Sequence, residues 1–322
     1  MKNPRVTIGI PVFNGERYLA QAIESILNQT YTDFELIISD NASTDDTQEI
    51  CEKYAAADER IRYYRNDQNL GAAPNFNRLF DLARGEYFQW LAHDDLLAPD
   101  FLRQCVEILD ADPSSILCFS WVNLVDERGQ QNSTCELQLR IDDPRPQVRF
   151  RDILLEWHNS FYVFGLLRSA ALRKTKLILP LAHGDTILIA RLGLLGPFRQ
   201  IPEHLFLSRY HPAQSNQVYQ AALPRGFDLV AYSVWFDPRA VERIHYPYWR
   251  VMAEYFRTLA GVRLGWLERL SCYLSLAHLF LRHRKGLWHD LKSLPRRLSF
   301  VVSPLTKNEY EYDTSAPADS ME

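Results

Sequence analysis

The tripeptide His93-Asp94-Asp95 is the most chemically distinctive part of the sequence. It follows residues 87–91, a short run of aromatic and aliphatic residues that predicts a buried β-strand. Two adjacent carboxylates repel each other and are costly to bury, so packing is a poor explanation for them. A divalent cation would relieve the repulsion, because Mg²⁺ is usually held by one or two carboxylates with substrate phosphates and water. For an isolated Asp-Asp pair, a solvated loop that caps the helix near Pro99 is the alternative.

A second polar loop, residues 40–46, follows the strand-like run 34–39. It begins with Asp40 and is rich in residues that favour helix N-caps. In sheets of parallel strands, ligands bind outside the carboxyl ends of the strands. We therefore expect the loops that carry Asp40 and Asp94-Asp95 to face one site, although they are far apart in sequence.

These loops belong to a regular alternation of strand-like and helix-like segments. Strand-like runs occupy residues 6–12, 34–39, 61–64 and 87–91. Apolar residues recur at helical spacing in the intervening segments, residues 16–28, 46–54 and 75–83. The alternation predicts an α/β fold with a mostly parallel sheet flanked by helices.

The second half of the chain continues this pattern less regularly. A strand-like run at 116–125 is followed by a polar stretch that reaches Pro146, which we interpret as an insertion or a substrate-facing loop. Asp185 precedes the helix-like run 186–195, and this position alone favours a helix N-cap. Arg209 and His211 follow another strand-like run, and their pattern fits a surface arginine and a turn histidine.

The composition describes an ordinary folded globular protein. The 322 residues are 47% hydrophobic and 24% charged, which excludes disorder and small disulfide scaffolds. A net charge of −4 gives no overall attraction to nucleic acid, so we predict no nucleic-acid partner. The five dispersed cysteines favour buried thiols in a reducing compartment. With no signal-peptide pattern and no run long enough to span a bilayer, the sequence predicts a cytoplasmic protein.

The region from residue 260 to 300 is strongly basic, with eight basic residues against two acidic ones and a net charge of +6. Trp266, Leu270, Tyr273 and other apolar residues alternate with these charges in helix-compatible stretches. This composition fits helices that lie on an anionic membrane surface, here the inner face of the cytoplasmic membrane. It fits equally well helices that pack on the rest of the protein with their arginines in water.

The order of several short motifs resembles family 2 glycosyltransferases of GT-A fold. The resemblance is dense from residue 5 to about 110, thinner to about 216 and weak beyond. The matching segments are Val6-Thr7-Ile8-Gly9-Ile10-Pro11-Val12-Phe13-Asn14, residues 19–30, residues 39–45, Asn69-Leu70-Gly71, Asn75, residues 83–87, His93-Asp94-Asp95, Pro99-Asp100, Gly184-Asp185 and Arg209-Tyr210-His211.

The resemblance implies a nucleotide-sugar donor and Mn²⁺ or Mg²⁺. Pro11, Phe13 and Asp40 would surround the base, Asp94 would lie near the ribose, and Asp95 with His211 would hold the metal. The full set implied for the nucleotide-sugar is Pro11, Phe13, Asn14, Glu16, Asp40, Asn69, Asn75, Asp94 and Arg209. Ala92 stands where family members often carry a further Asp, so the division of metal and ribose between Asp94 and Asp95 stays open.

The same resemblance implies that Asp185 is the general base, with His183 as the fallback. A carboxylate there would accept the proton of an acceptor hydroxyl as it attacks the sugar. The implied reaction is a metal-dependent, inverting transfer to a glycan or lipid-linked saccharide. A UDP-sugar is favoured, with dTDP- and GDP-sugars as alternatives. Because the Gln-x-x-Arg-Trp motif of processive synthases is not seen, we expect a non-processive enzyme.

Two other functions remain open from the sequence. A nucleotidyltransferase also combines an α/β sheet with metal-binding aspartates, but residues 14–17 make a poor phosphate loop. A catalytically silent glycan- or nucleotide-binding module is possible if Asp185 only caps a helix.

We divide the chain into three parts. Residues 1–223 form the catalytic domain, with a nucleotide-sugar half at 1–110 and an acceptor half at 111–223. Residues 224–300 form a helical C-terminal region, and residues 301–322 form a polar, flexible tail.

Overall fold

The computed structural model describes residues 3–156, 160–212, 214, 229–238 and 246–292. The first half contains β1 (Val6–Val12), α1 (Leu19–Leu27), β2 (Phe34–Asp40), α2 (Thr47–Ala57), β3 (Ile61–Arg65), α3 (Ala72–Leu82), β4 (Tyr87–Trp90), β5 (Leu96–Leu97) and α4 (Phe101–Ala111). The second half contains β6 (Leu117–Val125), β7 (Gln131–Cys135), α5 (Pro146–Leu155), a 3-10 helix (Phe161–Phe164), β8 (Leu166–Arg168), α6 (Ser169–Leu172), α7 (Gly184–Leu195), β9 (Phe198–Arg209), α8 (Leu229–Phe236), α9 (Pro247–Ala260), α10 (Trp266–Arg282) and α11 (Arg284–Lys292).

The strands form a single sheet in the order β3-β2-β1-β4-β8-β6-β9-β5, with β7 paired to β6. The first four strands are parallel, as the alternation of strands and helices predicts. The second half is mixed, because β8 runs antiparallel to both neighbours while β6 and β9 are parallel. The polar stretch after β6 contains β7. A short turn joins the two strands, and β7 pairs antiparallel with β6. The predicted α/β fold with a flanked central sheet is confirmed.

Burial explains why the first half forms these elements. Every residue of β1 and β2 is buried, which matches their largely apolar sequences and the layers on both faces of the sheet. The helix α1 buries Leu19, Ala22, Ile23 and Ile26, one face at helical spacing. Strand ends and helix starts therefore alternate at one edge, where the polar loops emerge.

The C-terminal helices pack against α5 and α7. Their inward residues share one core with those of α5 and α7, the inward set being Val251, Met252, Tyr255 and Leu259 of α9 and Cys272, Leu276 and Leu279 of α10. Arg191 of α7 donates hydrogen bonds to the carbonyls of Thr258 and Gly261. The predicted boundary at residues 223–224 and the tail at 301–322 lie outside the described residues.

Cys51, Cys105, Cys118 and Cys272 are buried thiols. Among the described helices, none is both long enough and apolar enough to cross a bilayer.

Gly71 marks a close approach between the loop after β3 and the end of α8. Its φ of +87° lies in the left-handed region, which favours glycine. A Cβ at this position would lie 2.7 Å from the carbonyl oxygen of Phe236 and still closer to the ring of Pro238. The segment 229–238 thus rests directly on a loop at the edge of the sheet.

We expect Gly71→Ala to lower the free energy of unfolding by about 2–4 kcal/mol, through backbone strain and overlap with Phe236 and Pro238. Gly129→Ala is the matched control, since Gly129 has a φ of +80° with nothing within 4 Å of an added Cβ. It should cost only about 1 kcal/mol. Urea unfolding of both variants measures the difference, and equal losses would show that the contact with α8 contributes nothing.

Candidate active site at the edge of the sheet

The loops after β1 and β2 are joined by side-chain hydrogen bonds. The Asn14 N–H donates to Ser43 Oγ at 2.9 Å, and the Thr44 N–H donates to Asn14 Oδ1 at 2.9 Å. Glu16 Oε2 accepts from the Asp46 N–H at 3.0 Å. Asn14 and Glu16 are exposed, so the predicted nucleotide-facing loop is held in shape while its outer surface stays open.

Asp40 lies beneath this surface with no exposed area. Its Oδ1 accepts from the Ser43 N–H at 2.8 Å, and its Oδ2 accepts from Tyr63 Oη at 2.8 Å and Arg65 Nε at 3.2 Å. The sequence predicts a carboxylate beside the base, whereas in the structure both oxygens have protein donors. Asp40 therefore shapes the loop as a positioning residue.

A network of asparagine side chains supports the loop after β3. Asn75 is buried, accepts from Ser39 Oγ at 2.7 Å and donates to the Ser39 carbonyl at 2.9 Å. Asn66 donates to both Asn75 and Asn41 at 3.0 Å. Asn69 is exposed, and its Oδ1 accepts from Asn41 Nδ2 at 2.8 Å. Of the two predicted asparagines, Asn69 faces outward and Asn75 is part of the internal support.

The Asp94-Asp95 pair lies at the same edge, after β4. An added Cβ at Gly15 would lie 2.7 Å from the ring of His93, so the loops after β1 and β4 are in contact. Asp94 Oδ2 lies 2.9 Å from His211 Nε2, and Asp95 Oδ1 accepts from the Arg209 N–H at 2.9 Å. Both carboxylates are buried. The structure therefore brings together residues 14–16, 93–95 and 209–211, as the sequence predicts.

The pKa values of Asp94 and Asp95 are shifted in opposite directions from the ordinary value of a carboxyl group. Burial disfavours the charged form of Asp94, but His93 and His211 outweigh it and hold the pKa of Asp94 below its ordinary value. Burial together with the charge of Asp94 raises the pKa of Asp95 well above its ordinary value. A cation bound between the two carboxylates would favour the ionised form of both.

The donor set at this pair fits a divalent cation only with help from a ligand. Within the described residues, no group of three or more His, Cys, Asp or Glu side chains is arranged to hold a metal ion. Two carboxylates and an imidazole are nevertheless present, and Mg²⁺ and Mn²⁺ accept such oxygen-rich sites. Substrate phosphates commonly complete the coordination of such ions.

Arg209 is almost fully buried, with 1% of its surface exposed. Its guanidinium donates to the Asp94 carbonyl at 3.0 Å, the Glu127 carbonyl at 3.0 Å and Gln21 Oε1 at 2.8 Å. A further, longer bond of 3.3 Å reaches the Asp126 carbonyl. The sequence predicts a cation near a diphosphate. The structure gives Arg209 the role of holding the 94–95 turn to the β6–β7 turn.

Tyr18 is a neighbour of this cluster that the sequence analysis did not single out. Its ring lies 4.6 Å from the Arg209 guanidinium carbon and 4.9 Å from the His211 ring centre. Its hydroxyl is buried and has no hydrogen-bond partner among the described residues. Gln21 was missed as well. The only sequence signal for either was its position at the start of α1.

The remaining predicted residues divide into an outer and an inner group. Phe13 is 43% exposed at the rim of the site, whereas Pro11 is buried in β1 beside Ser39.

Asp185 lies in the first turn of α7, with its Oδ1 accepting from the Thr186 N–H at 2.8 Å. The helix begins at Gly184, so Asp185 lies inside it and is not its N-cap.

Asp185 has its own surroundings. Burial is the main cause of the raised pKa values of Tyr162 and Tyr255, and the negative charge of Asp185 raises them further. Burial lowers the pKa of His183 below its ordinary value, against the pull of Asp185. Within the described part of the chain, no hydrogen bond or ion pair links Asp185 to Asp94, Asp95 or His211.

Comparison with known proteins agrees with this arrangement. The model of Glycosyl transferase family 2 matches residues 7–173, more than half of the chain. The chain belongs to glycosyl transferase family 2. The match covers β1 to β8, including every strand that carries a loop of the site except β9.

Curated relatives match a shorter region of this family 2 chain. An uncharacterised glycosyltransferase of Methanocaldococcus jannaschii is 36% identical over 131 residues, 40% of this chain and 45% of that protein. A chondroitin synthase of Escherichia coli is 36% identical over 126 residues, 39% of this chain and 18% of that protein. The chain thus spans less than half the length of these relatives.

Solved structures extend the likeness of the fold to most of the family 2 chain. S. aureus TarS 1–349 in complex with UDP has a TM-score of 0.61 at 17% identity, over 87% of this chain and 71% of TarS. The mannosyltransferase PcManGT of Pyrobaculum calidifontis, in complex with GDP-Man and Mn²⁺, has a TM-score of 0.53 at 17% identity, over 95% and 77% of the chains. The fold that the sequence predicts is therefore found in glycosyltransferases.

We expect Arg209→Lys to lower the free energy of unfolding by about 2–4 kcal/mol, because an ammonium cannot reach the four acceptors and leaves buried carbonyls unpaired. Arg128→Lys, at an exposed position in the β6–β7 turn, is the matched control and should have no measurable effect. Urea unfolding of both variants gives the comparison. Equal stability of the two would mean that Arg209 does not hold the turns together.

Proposed function

We propose that the protein transfers a sugar from a nucleotide-sugar to a hydroxyl of a glycan or lipid-linked saccharide. The observation that carries this proposal is the convergence of Asp94, Asp95 and His211 with the loops after β1 and β2 at one edge of the sheet. Family membership supports the same reaction class. We further propose that transfer is metal-dependent, inverting and non-processive, and that it takes place at the cytoplasmic side of a membrane.

The donor would lie across the exposed residues of the first three loops. Phe13 offers an aromatic ring at the rim, and Asn14, Glu16 and Asn69 offer polar groups around it. We favour a UDP-sugar, with GDP- and dTDP-sugars as alternatives. TarS has been solved with UDP and with UDP-GlcNAc, and PcManGT with GDP-Man, so likeness of fold is compatible with either base.

Asp95 and His211 would hold Mn²⁺ or Mg²⁺, with Asp94 shared between the metal and the ribose. A bound cation neutralises the charge that develops on a departing nucleoside diphosphate. The protein contributes by fixing the donor atoms in advance. Arg209 holds the backbone of the 94–95 turn, and His211 fixes the orientation of the Asp94 carboxylate.

Asp185 is the proposed general base. The acceptor hydroxyl gives its proton to the Asp185 carboxylate while its oxygen bonds to the anomeric carbon. The bond from that carbon to the diphosphate oxygen breaks, and the nucleoside diphosphate leaves with the electron pair. A single displacement of this kind inverts the anomeric centre. His183, whose pKa is lowered by burial, is the neighbouring alternative.

Metal-dependent nucleotide binding is the first test. UDP, GDP, dTDP and CMP are compared with and without Mn²⁺ by thermal unfolding. A ligand at about 100 times its Kd should add roughly 2.7 kcal/mol and shift the Tm by several degrees. We expect one diphosphate to do so only with metal, and Asp95→Asn to abolish the shift.

Two features make this test interpretable. Replacing the Asp95 carboxylate removes a buried like charge beside Asp94, so the free variant should be at least as stable as the wild type. Asp81→Asn, at an exposed position of α3, is the control and should keep the full shift. No shift with any nucleotide would favour the silent glycan-binding module instead.

Asp185→Asn should lower kcat for donor turnover by about 10²–10⁴-fold, because the amide cannot accept the proton. The Kd of the metal–nucleotide complex should stay unchanged, since among the described residues no hydrogen bond or ion pair joins Asp185 to the Asp94–His211 pair. Turnover and Kd are measured on the same preparation, with His183→Gln beside it. Full activity of Asp185→Asn together with loss in His183→Gln would move the base to His183.

A further inference from the structure

The helix α10 has two apolar faces, and only one of them is covered. Cys272, Leu276 and Leu279 point into the core. A second set recurs at spacings of three and four residues on the other side, which we call the outer face, and consists of Trp266, Leu267, Leu270, Tyr273, Leu274 and Leu281. At 1.5 Å per residue this outer face is about 22 Å long.

The outer face is strongly exposed. Trp266 is 73% exposed, Leu274 64% and Leu281 61%. Phe256 of α9 extends the patch, with its ring 6.1 Å from that of Tyr273. A shallow groove at one end is lined by residues of α10 and α11, namely Leu274, Ala277, His278, Leu281, Arg282 and Arg284. Contiguous apolar surface of this kind marks an interaction site.

Exposed basic side chains lie on α10, on α11 and in the turn before α10. The exposed cations from residue 261 to 292 are Arg263, Arg282, Arg284, Lys285 and Lys292. Within the described residues, none of them forms a salt bridge. The two acidic residues of this segment accept hydrogen bonds from backbone N–H groups. Glu268 accepts from the Gly265 N–H, and the buried Asp290 accepts from the Tyr248 N–H.

An exposed apolar face together with basic side chains favours a partner that is both anionic and partly apolar. A second copy of the chain would bring like charges together around the contact, which opposes association. A nucleic acid would match the positive charge, but it would leave the leucines of the outer face exposed to water. An anionic bilayer offers both parts, since its headgroups attract arginine and lysine while its interface accepts Trp, Tyr and Leu.

We propose that the outer face of α10, with the exposed basic residues of α10 and α11, docks the protein on the surface of an anionic lipid bilayer. The inner face keeps α10 fixed to the catalytic part, so the whole molecule follows the helix to the membrane. Docking deepens the proposed function, in which a lipid-linked acceptor would be met at such a surface. Binding to lipid itself requires neither nucleotide nor transfer, so the two can fail separately.

Vesicle co-sedimentation of the full chain tests the proposal. Vesicles of phosphatidylcholine alone are compared with vesicles containing equal parts of phosphatidylcholine and phosphatidylglycerol, without nucleotide. We expect binding to the anionic vesicles only, weakened by salt. Leu270→Gln with Leu274→Gln should weaken it by roughly 100-fold or more, because burial of each leucine is worth at least about ten-fold.

Arg284→Gln with Lys285→Gln tests the charge separately. Each cation near an anionic surface contributes roughly five-fold, so this pair should weaken binding by about 25-fold at low salt. Ala56→Gln with Ala57→Gln, on the exposed end of α2, is the control and should bind as the wild type does. All variants should unfold cooperatively near the Tm of the wild type, which shows that they are folded.

Two results would overturn the proposal. The first is no binding of the wild type to anionic vesicles. The second is a wild-type dimer in solution that the leucine variant converts to a monomer, which would assign the outer face to a second copy. Vesicle binding without any nucleotide shift would support the docking surface and contradict the transferase.

Discussion

One buried guanidinium joins the parts of this molecule that form its site. Arg209 ends β9, and its donors reach the 94–95 turn, the β6–β7 turn and the first helix at Gln21. These segments come from both halves of the chain. The positive charge of Arg209 also favours the ionised form of the buried Asp95 carboxylate, while His93 and His211 favour that of Asp94, so together they offset part of the cost of burying this pair. The edge of the sheet can therefore hold a concentrated negative charge in a fixed shape.

Much of the first half follows from the sequence, because its signals are local. Short runs rich in β-branched and other apolar residues predict β1 and β2, and helical spacing of Leu19, Ile23 and Ile26 predicts α1. Parallel strands then place their following loops at a common edge, so Asp94-Asp95 could be expected near residues 14–16. The contact of Gly15 with His93 confirms this reasoning.

The inner contacts of the site could not be predicted in the same way. Arg209 and Asp94 are joined across more than a hundred residues, and nothing in the sequence indicates that β6 and β9 are paired. The partners of buried polar residues are also hidden from the sequence, since nothing local indicates that Asp40 and Asn75 make internal hydrogen bonds. For α10 the sequence left packing and membrane contact as alternatives. A helix with apolar residues on two faces can satisfy both.

Charge is distributed unevenly along the described part of the chain. Residues 260–292 carry +4, while the described residues before them carry −8. A negatively charged plane would attract the first group and repel the second. Because this field decays over roughly 8 Å in physiological salt, the torque acts only in the last layers of water before contact. The protein would then turn before it touches, so that α10 and α11 face the surface.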